Sequence, residues 1–443
     1  MKILKIIHGY PPKYNAGSEV YSQMLCLGLS RRHDIIVLTR EEDPFRPAFA
    51  RSIEHDHLNS AIKLYIANIP GENYRYAYRN QALDDYCQSI IDAESPDLVH
   101  VGHLNHLSVS LLEVCKKNNL PIVFTLHDYW LMCPRGQFIR RNPANGECWQ
   151  LCTKQIDQDC ATYCYSGYFS GAKEEHKKDL AYWTDWISRR MHYVKKVSHY
   201  VDKYIAPSHY LQRRFMTDFV IPHEKIVYLD YGFDLTRFAN DLPSFSPKND
   251  VYTFGYIGTH IPAKGIQLLI EAFGQLTIKA KLIIWGKPNG YNTQALKKRC
   301  AQLSAAQQKC IEWRHEYANE NIMSEVFAHL DCLVVPSIWV ENSPLVIHEA
   351  LQAKIPVITA NVGGMAEYIK DGINGLLFEH RNVNSLAAQM QTIATDPTLT
   401  NSLGSTGYIG SEKGDIPSLE AHVDEMEKIY QAVYAAHQAR SED

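Results

Sequence analysis

The sequence contains no apolar run approaching the roughly 18 residues needed to span a bilayer. It has no surplus of basic residues either: 45 Lys and Arg face 49 Asp and Glu, giving a formal net charge of −4. A dedicated nucleic-acid binder, which needs a basic surface, is disfavoured. Hydrophobic residues make up 45% and charged residues 21%, so the low hydrophobicity and high charge of a disordered chain are absent. The dinucleotide fingerprint G-x-G-x-x-G is missing, which removes support for hydride transfer. There is no repeat at a solenoid period and no low-complexity tract. Residues Met1–His8 turn polar too soon for a signal peptide and read as a short buried strand. A cytoplasmic chain with mostly reduced or metal-bound cysteines is therefore expected. One local excess stands out: of 11 cysteines, Cys133, Cys148, Cys152, Cys160 and Cys164 fall within one short segment.

What is present is a regular alternation. Short β-rich apolar runs, from Ile3–His8 to Ile226–Leu229 and again from Tyr252–Ile257 to Gly375–Phe378, are separated by helical patterns. Unbroken apolar strands between helices predict parallel sheets covered on both faces, hence a doubly wound α/β fold. The length of 443 residues suits two or three domains. The polar, proline-containing stretch 242–250 reads as a linker between residues 1–241 and residues 251–417. Residues 418–443 carry a long amphipathic helical pattern that could pack on either domain. The segment from about 133 to 198 breaks the alternation and reads as an insertion: a cysteine-bearing loop, then a helix from about Ala172 to Val201.

Four loops carry chemistry. In Glu341–Ala350, two glutamates with seven residues between them flank a predicted helix start, with Ser343 as cap and Pro344 in the first turn. The free N–H groups and dipole of that helix end favour a phosphate, and the carboxylates could accept hydrogen bonds from sugar hydroxyls. Two exposed glutamates around an ordinary capped helix meet the same spacing. Gly258–Gly265 follows a strand and leads into a helix, placing Lys264 where it can pair with a phosphate. Its Gly and Lys order is not that of a P-loop, and a plain turn with a surface lysine also fits. Tyr10–Glu19 is a long glycine-containing loop after the first strand, and His127-Asp128 ends the run Ile122–Leu126. A flexible connection and a structural histidine are the plainer alternatives for these two.

In this order the motifs resemble the GT-B glycosyltransferases of family 4, over nearly the whole chain and most densely from Tyr252 to Phe378. Glu341 to Glu349 is similar to the family's E-x7-E motif. Pro356–Gly364 resembles its following strand and loop, and Asp371–Leu377 its D-G-x-x-G-x-L signature. Ala206-Pro207-Ser208 and Gly232-Phe233-Asp234 resemble elements near its domain junction. The resemblance implies two Rossmann-like domains facing a cleft, with the donor mainly on the C-terminal one and the final helix crossing back to the first. It implies that Glu349 binds the donor ribose, that Glu341 contacts the sugar, and that Lys264 holds the diphosphate with backbone N–H groups of Leu345 and Val346. Gly17 would let the first loop approach the diphosphate, His127 would sit at the sugar, and Tyr317 would lie near the base. Thr259 and Ser343 complete the donor-binding set. The implied activity is retaining transfer from a UDP- or GDP-sugar to a glycan or lipid-linked acceptor, in surface polysaccharide or glycolipid synthesis. No catalytic metal is expected, since no D-x-D motif stands out and Lys264 can carry the charge. Three departures are visible: Thr259 where arginine is common, Pro344 where glycine is common, and Tyr231 where asparagine is common. A nucleotide-sugar epimerase-type enzyme and a non-catalytic nucleotide-sugar-binding protein use the same features. His260 or an arginine of the first domain could replace the missing cation.

Two features lie outside that resemblance. Cys148-x3-Cys152 and Cys160-x3-Cys164 suit a four-thiolate structural zinc site, with disulfides and free thiols as alternatives. The helix after them carries Trp183, Trp186, Arg189, Arg190, Lys195 and Lys196. Its mix of aromatic and basic residues suits peripheral contact with an anionic membrane, or packing on the first domain with a solvated basic face.

Overall fold

The structure, a computed structural model, describes residues 1–69, 78–141, 149–238 and 251–442. The expected linker 242–250 and Cys148 lie outside the described residues. The chain divides into two compact units: residues 1–148, 152–233 and 417–443 form unit 1, and residues 149–151 and 234–416 form unit 2.

Unit 1 is built on strands β1 (Lys2–Ile6), β2 (Asp34–Glu41), β3 (Arg51–His55), β4 (Lys63–Asn68), β5 (Leu98–Val101), β6 (Ile122–Thr125), β7 (Lys203–Ala206) and β8 (Ile226–Tyr228). They form one sheet in the order β3-β4-β2-β1-β5-β6-β7-β8, parallel except for the β3–β4 pair. The central strands are buried on both faces, as their apolar runs require. Strand β3 escapes the sequence pattern because it is an exposed antiparallel edge strand reading Arg-Ser-Ile-Glu-His. Strand order reverses between β1 and β5, so the loops leaving those two strands flank the topological switch point.

Unit 2 has strands β9 (Tyr252–Ile257), β10 (Ala280–Trp285), β11 (Ile311–Trp313), β12 (Cys332–Val335), β13 (Val357–Ala360) and β14 (Gly375–Phe378). The order is β11-β10-β9-β12-β13-β14, all parallel, with the reversal between β9 and β12.

The terminal helix Leu419–Glu442 belongs to unit 1. Hydrogen bonds between Phe233 and residues Pro417 and Leu419 fix its entry. Along its length His422 Nε2 lies 2.9 Å from Tyr21 Oη, Tyr430 Oη 2.7 Å from His100 Nδ1, and His437 Nε2 2.8 Å from the Asn119 carbonyl. Tyr430 reaches a fully buried polar cluster, because His100 also contacts Lys5 and Thr125. Burial pushes the Lys5 ammonium down to about 8. Removing the Tyr430 hydroxyl weakens that cluster without opening a large cavity, so Tyr430→Phe should cost about 1–2 kcal/mol in a urea unfolding titration. An unchanged midpoint would show that the hydroxyl carries no stabilising load.

Candidate active site

The chemistry-bearing residues of unit 2 stand at the carboxyl edge of its sheet. Lys264 follows β9 and Glu341 follows β12, the two strands on either side of the switch point. Open parallel sheets bind ligands in that position. Lys264 Nζ lies 2.9 and 3.1 Å from the two Glu341 carboxylate oxygens, and the Ser337 hydroxyl donates to the same carboxylate. Glu341 is 5% exposed, so it is not the solvated glutamate that spacing alone allowed. The Lys264 side chain keeps about a third of its surface open, so a charged partner can still reach it.

The backbone holds these loops together. Gly265 has φ +73°, and a Cβ there would fall 1.8 Å from the Pro336 carbonyl oxygen. The Ile338 N–H donates to the Ala263 carbonyl, tying the Lys264 turn to the Glu341 loop. On the other side, Gly364 N–H donates to the Glu341 carbonyl, and a Cβ on Gly364 would lie 1.3 Å from the Asn342 oxygen.

The helix after Glu341 begins later than its sequence suggested. It spans Leu345–Gln352, with Pro344 in the cap position at φ −68°, ψ 117° and no side-chain cap. Ser343 is therefore not the cap: a residue before proline is steered away from helical geometry, and the proline has no N–H to offer. Leu345 and Val346 open the first turn, and Glu349 lies just over one turn in. Glu349 is buried and accepts a 2.7 Å hydrogen bond from Arg237 Nη2. Arg237 belongs to no motif read from the sequence; the one signal was its nearness to Gly232-Phe233-Asp234. Tyr317 is half-buried beside this pair, and burial, then the Glu349 charge, raise its phenol above the ordinary range.

The position after Gly258 is half-buried Thr259, whose carbonyl accepts from Tyr256 Oη. His260 does not supply the missing cation. It is 2% exposed, packs on Trp313 and lies 3.2 Å from Thr293 Oγ1, and burial lowers its pKa, so the ring is neutral near pH 7.

Unit 1 gathers a second set at its own switch point. His8 follows β1 and His103 follows β5, with ring centroids 4.5 Å apart. His8 Nε2 lies 3.2 Å from Glu19 Oε1, and His103 Nε2 lies 3.2 Å from Asp128 Oδ1. Gly17 is exposed and opens the helix Gly17–Leu29. His127, after β6, is half-buried, with Nδ1 2.6 Å from Tyr231 Oη and the rings stacked. Burial, then the Lys5 charge, hold His127 well below its ordinary pKa, so it is neutral near pH 7. Tyr231 was read as a departure from the family; here it fixes the His127 ring.

The Cys133–Ser198 segment holds no strand among its described residues, and its helix spans His176–Ser198, after a 3-10 turn at Lys173–Glu175. Trp183 and Trp186 are buried against Ala161, Tyr165 and Ile187, and Arg190 is buried with them. The aromatic face expected to meet a membrane is thus an internal one. Of the exposed basic residues, Arg189 pairs with Asp185 and Lys196 with Glu113. No described helix is long and apolar enough to cross a membrane. Cys152, Cys160 and Cys164 are unbridged, and no three described His, Cys, Asp or Glu side chains stand at metal-binding spacing as they are.

The model described as Glycosyltransferase Family 4 matches residues 16–237, and that described as Glycosyl transferases group 1 matches residues 239–409. An uncharacterized glycosyltransferase of Methanocaldococcus jannaschii is 29% identical over 182 residues, which are 41% of this chain and 48% of the relative. A D-inositol 3-phosphate glycosyltransferase of Rhodococcus opacus is 27% identical over 38% of this chain and 39% of its own length. The capsular polysaccharide biosynthesis glycosyltransferase CapM of Staphylococcus aureus is 24% identical over 46% of this chain and 55% of its own. The chain thus spans about half the length of the curated relatives it matches. Anabaena HepE, solved in complex with UDP and glucose, superposes with a TM-score of 0.67 at 17% identity, covering 98% of this chain and 100% of that one. The fold is GT-B.

Glu19 gives the site a pH signature. Burial opposes its charge, but hydrogen bonds from His8 and Ser18 outweigh it and hold the carboxyl at about 2, against 4.5 unperturbed. A depressed carboxyl stabilises the fold above pH 4.5, and the contribution is lost as pH falls toward 2. His8 is itself pushed down by burial and donates as a neutral ring near pH 7, so the contribution stays below about 3 kcal/mol. Urea midpoints at pH 7 and pH 3 should converge in Glu19→Gln relative to the unsubstituted protein; equal acid sensitivity in both would contradict the assignment.

Proposed function

Because the chain belongs to glycosyltransferase family 4, we propose that it transfers a sugar from a nucleoside-diphosphate sugar to a glycan or lipid-linked acceptor, with retention of anomeric configuration. The observation that carries this reading is the Lys264–Glu341 pair at the switch point of unit 2, with Arg237–Glu349 on the adjacent helix. Lys264 and the N–H groups of Leu345 and Val346 are assigned to the diphosphate, whose charge grows as the glycosidic bond breaks. Held against Ser337 and Lys264, Glu341 is oriented before the donor arrives and is assigned to the sugar. Glu349 takes the ribose hydroxyls, with Arg237 fixing its carboxylate, and Tyr317 takes the base. By the family resemblance alone, Gly17 is assigned to the diphosphate and His127 to the transferred sugar. A neutral His127 oriented by Tyr231 can exchange hydrogen bonds with sugar hydroxyls at no desolvation cost for a charge.

No side chain is asked to act as nucleophile. The acceptor attacks the face that the diphosphate leaves, and the departing phosphate oxygen takes the acceptor proton. The names of relatives that act in capsule synthesis or, like the GDP-mannose-dependent mannosyltransferase of Mycolicibacterium smegmatis, on a glycolipid support an acceptor of that class. The UDP bound to HepE and the GDP-mannose of that relative support a UDP- or GDP-sugar donor.

A screen of nucleotide sugars for slow release of nucleoside diphosphate without acceptor tests the reading. One donor should be hydrolysed, with kcat/KM falling at least about 100-fold in Lys264→Ala and in Glu341→Ala. Undiminished release in both variants would reject this site. Interconversion of two nucleotide sugars with no release would point to an epimerase instead.

A further inference from the structure

The His127 ring is walled by tyrosines from two other stretches of unit 1. Besides Tyr231, it meets Tyr21 edge-on, with ring centroids 5.4 Å apart and planes at 68°. Tyr21 also lies against Tyr231, at 4.4 Å between centroids. Both tyrosines are buried, and ring pairs of this kind favour a fixed mutual geometry. Tyr21 stands one turn into the helix Gly17–Leu29, so the helix that opens at Gly17 also supplies a wall for His127.

The Tyr21 hydroxyl is held from a point 401 residues away. Its Oη lies 2.9 Å from Nε2 of His422, in the first turn of the terminal helix, and the two rings meet edge-on at 5.5 Å. Burial lowers the His422 ring to about 4 and raises the Tyr21 phenol, so the contact joins two uncharged groups near pH 7. His422 is buried, and a leucine of similar volume would cover the same surface. What the imidazole adds is direction, because a buried polar contact specifies one arrangement where apolar packing tolerates several.

The terminal helix is fastened to both elements that carry the tyrosines. A Cβ on Gly232, the residue after Tyr231, would lie 2.3 Å from His422 Cβ, and Phe233 pairs with Ser418 as a parallel bridge. On the helix Gly17–Leu29, a Cβ on Gly28 would lie 2.6 Å from Val423 Cγ2. Just beyond that helix, Arg32 and His33 both pair with Glu427.

We propose that Tyr21 and His422 are positioning residues for His127: through the His422–Tyr21 contact, the terminal helix fixes the tyrosine wall against which the His127 ring is set. The terminal helix is then part of the catalytic apparatus and not only a cover for the sheet. This role rests on the assignment of His127 to the transferred sugar, and the experiment separates the two.

The assay is release of nucleoside diphosphate, without acceptor, from the nucleotide sugar hydrolysed in the donor screen. Tyr21→Phe and His422→Leu should each lower kcat about tenfold with donor KM changed by less than about twofold, because a displaced ring impairs the chemical step and not donor binding. His422→Gln, whose amide can reach the place of Nε2, should keep most of the activity. His127→Ala should itself lower kcat, and adding Tyr21→Phe or His422→Leu to it should lower kcat no further. Tyr21→Phe keeps its ring and removes one hydroxyl, so the comparison stands even where His422→Leu fails to fold. Unchanged kcat in Tyr21→Phe, a raised KM with kcat unchanged, or losses that add to that of His127→Ala would overturn the positioning role and leave the His127 assignment in place. Full activity in His127→Ala would reject that assignment, and the positioning role with it.

Discussion

A carboxylate buried to the depth of Glu341 needs a cation and fixed donors, and the geometry of unit 2 follows from supplying both. Lys264 comes from the loop after β9 and Ser337 from the loop after β12, so the two loops must lie in contact. Gly265 permits that contact, because any side chain there would collide with Pro336. Gly364 permits the matching approach from the loop after β13, and its N–H holds the Glu341 carbonyl. Three strand ends are thereby locked around one ion pair at the switch point of the sheet. The result is an oriented pair whose lysine remains open on one side.

Much of this was legible in the sequence. Parallel strands buried on both faces must be written in apolar runs, and Cys332–Val335 is an example. The spacing of Glu341 and Glu349 survives translation into structure because only a short loop and one helical turn separate them. Strand β3 was illegible for the opposite reason: an exposed edge strand imposes no apolar pattern. Arg237 was illegible because its partner lies 112 residues away, and no local spacing reports a contact of that range. Pro344 shifted the helix start by acting on the residue before it, which cost Ser343 its expected role as cap.

The helix His176–Ser198 shows how one pattern serves two structures. Tryptophans and basic residues at helical spacing suit a membrane surface, and they equally suit a helix that buries its aromatics and one arginine while paired charges face solvent. Tertiary packing decides, and it buried Trp183, Trp186 and Arg190. Tyr231 makes a related point, since a residue that departs from the family pattern orients His127.

In the proposed function the Lys264–Glu341 edge of unit 2 binds the donor diphosphate. Calorimetric titration of the nucleoside diphosphate, against the bare nucleoside as control, addresses it directly. Lys264→Met should weaken diphosphate binding by at least about tenfold, through loss of a charge-assisted contact, while nucleoside binding is unchanged. Equal affinity of the variant and the unsubstituted protein for the diphosphate would contradict it.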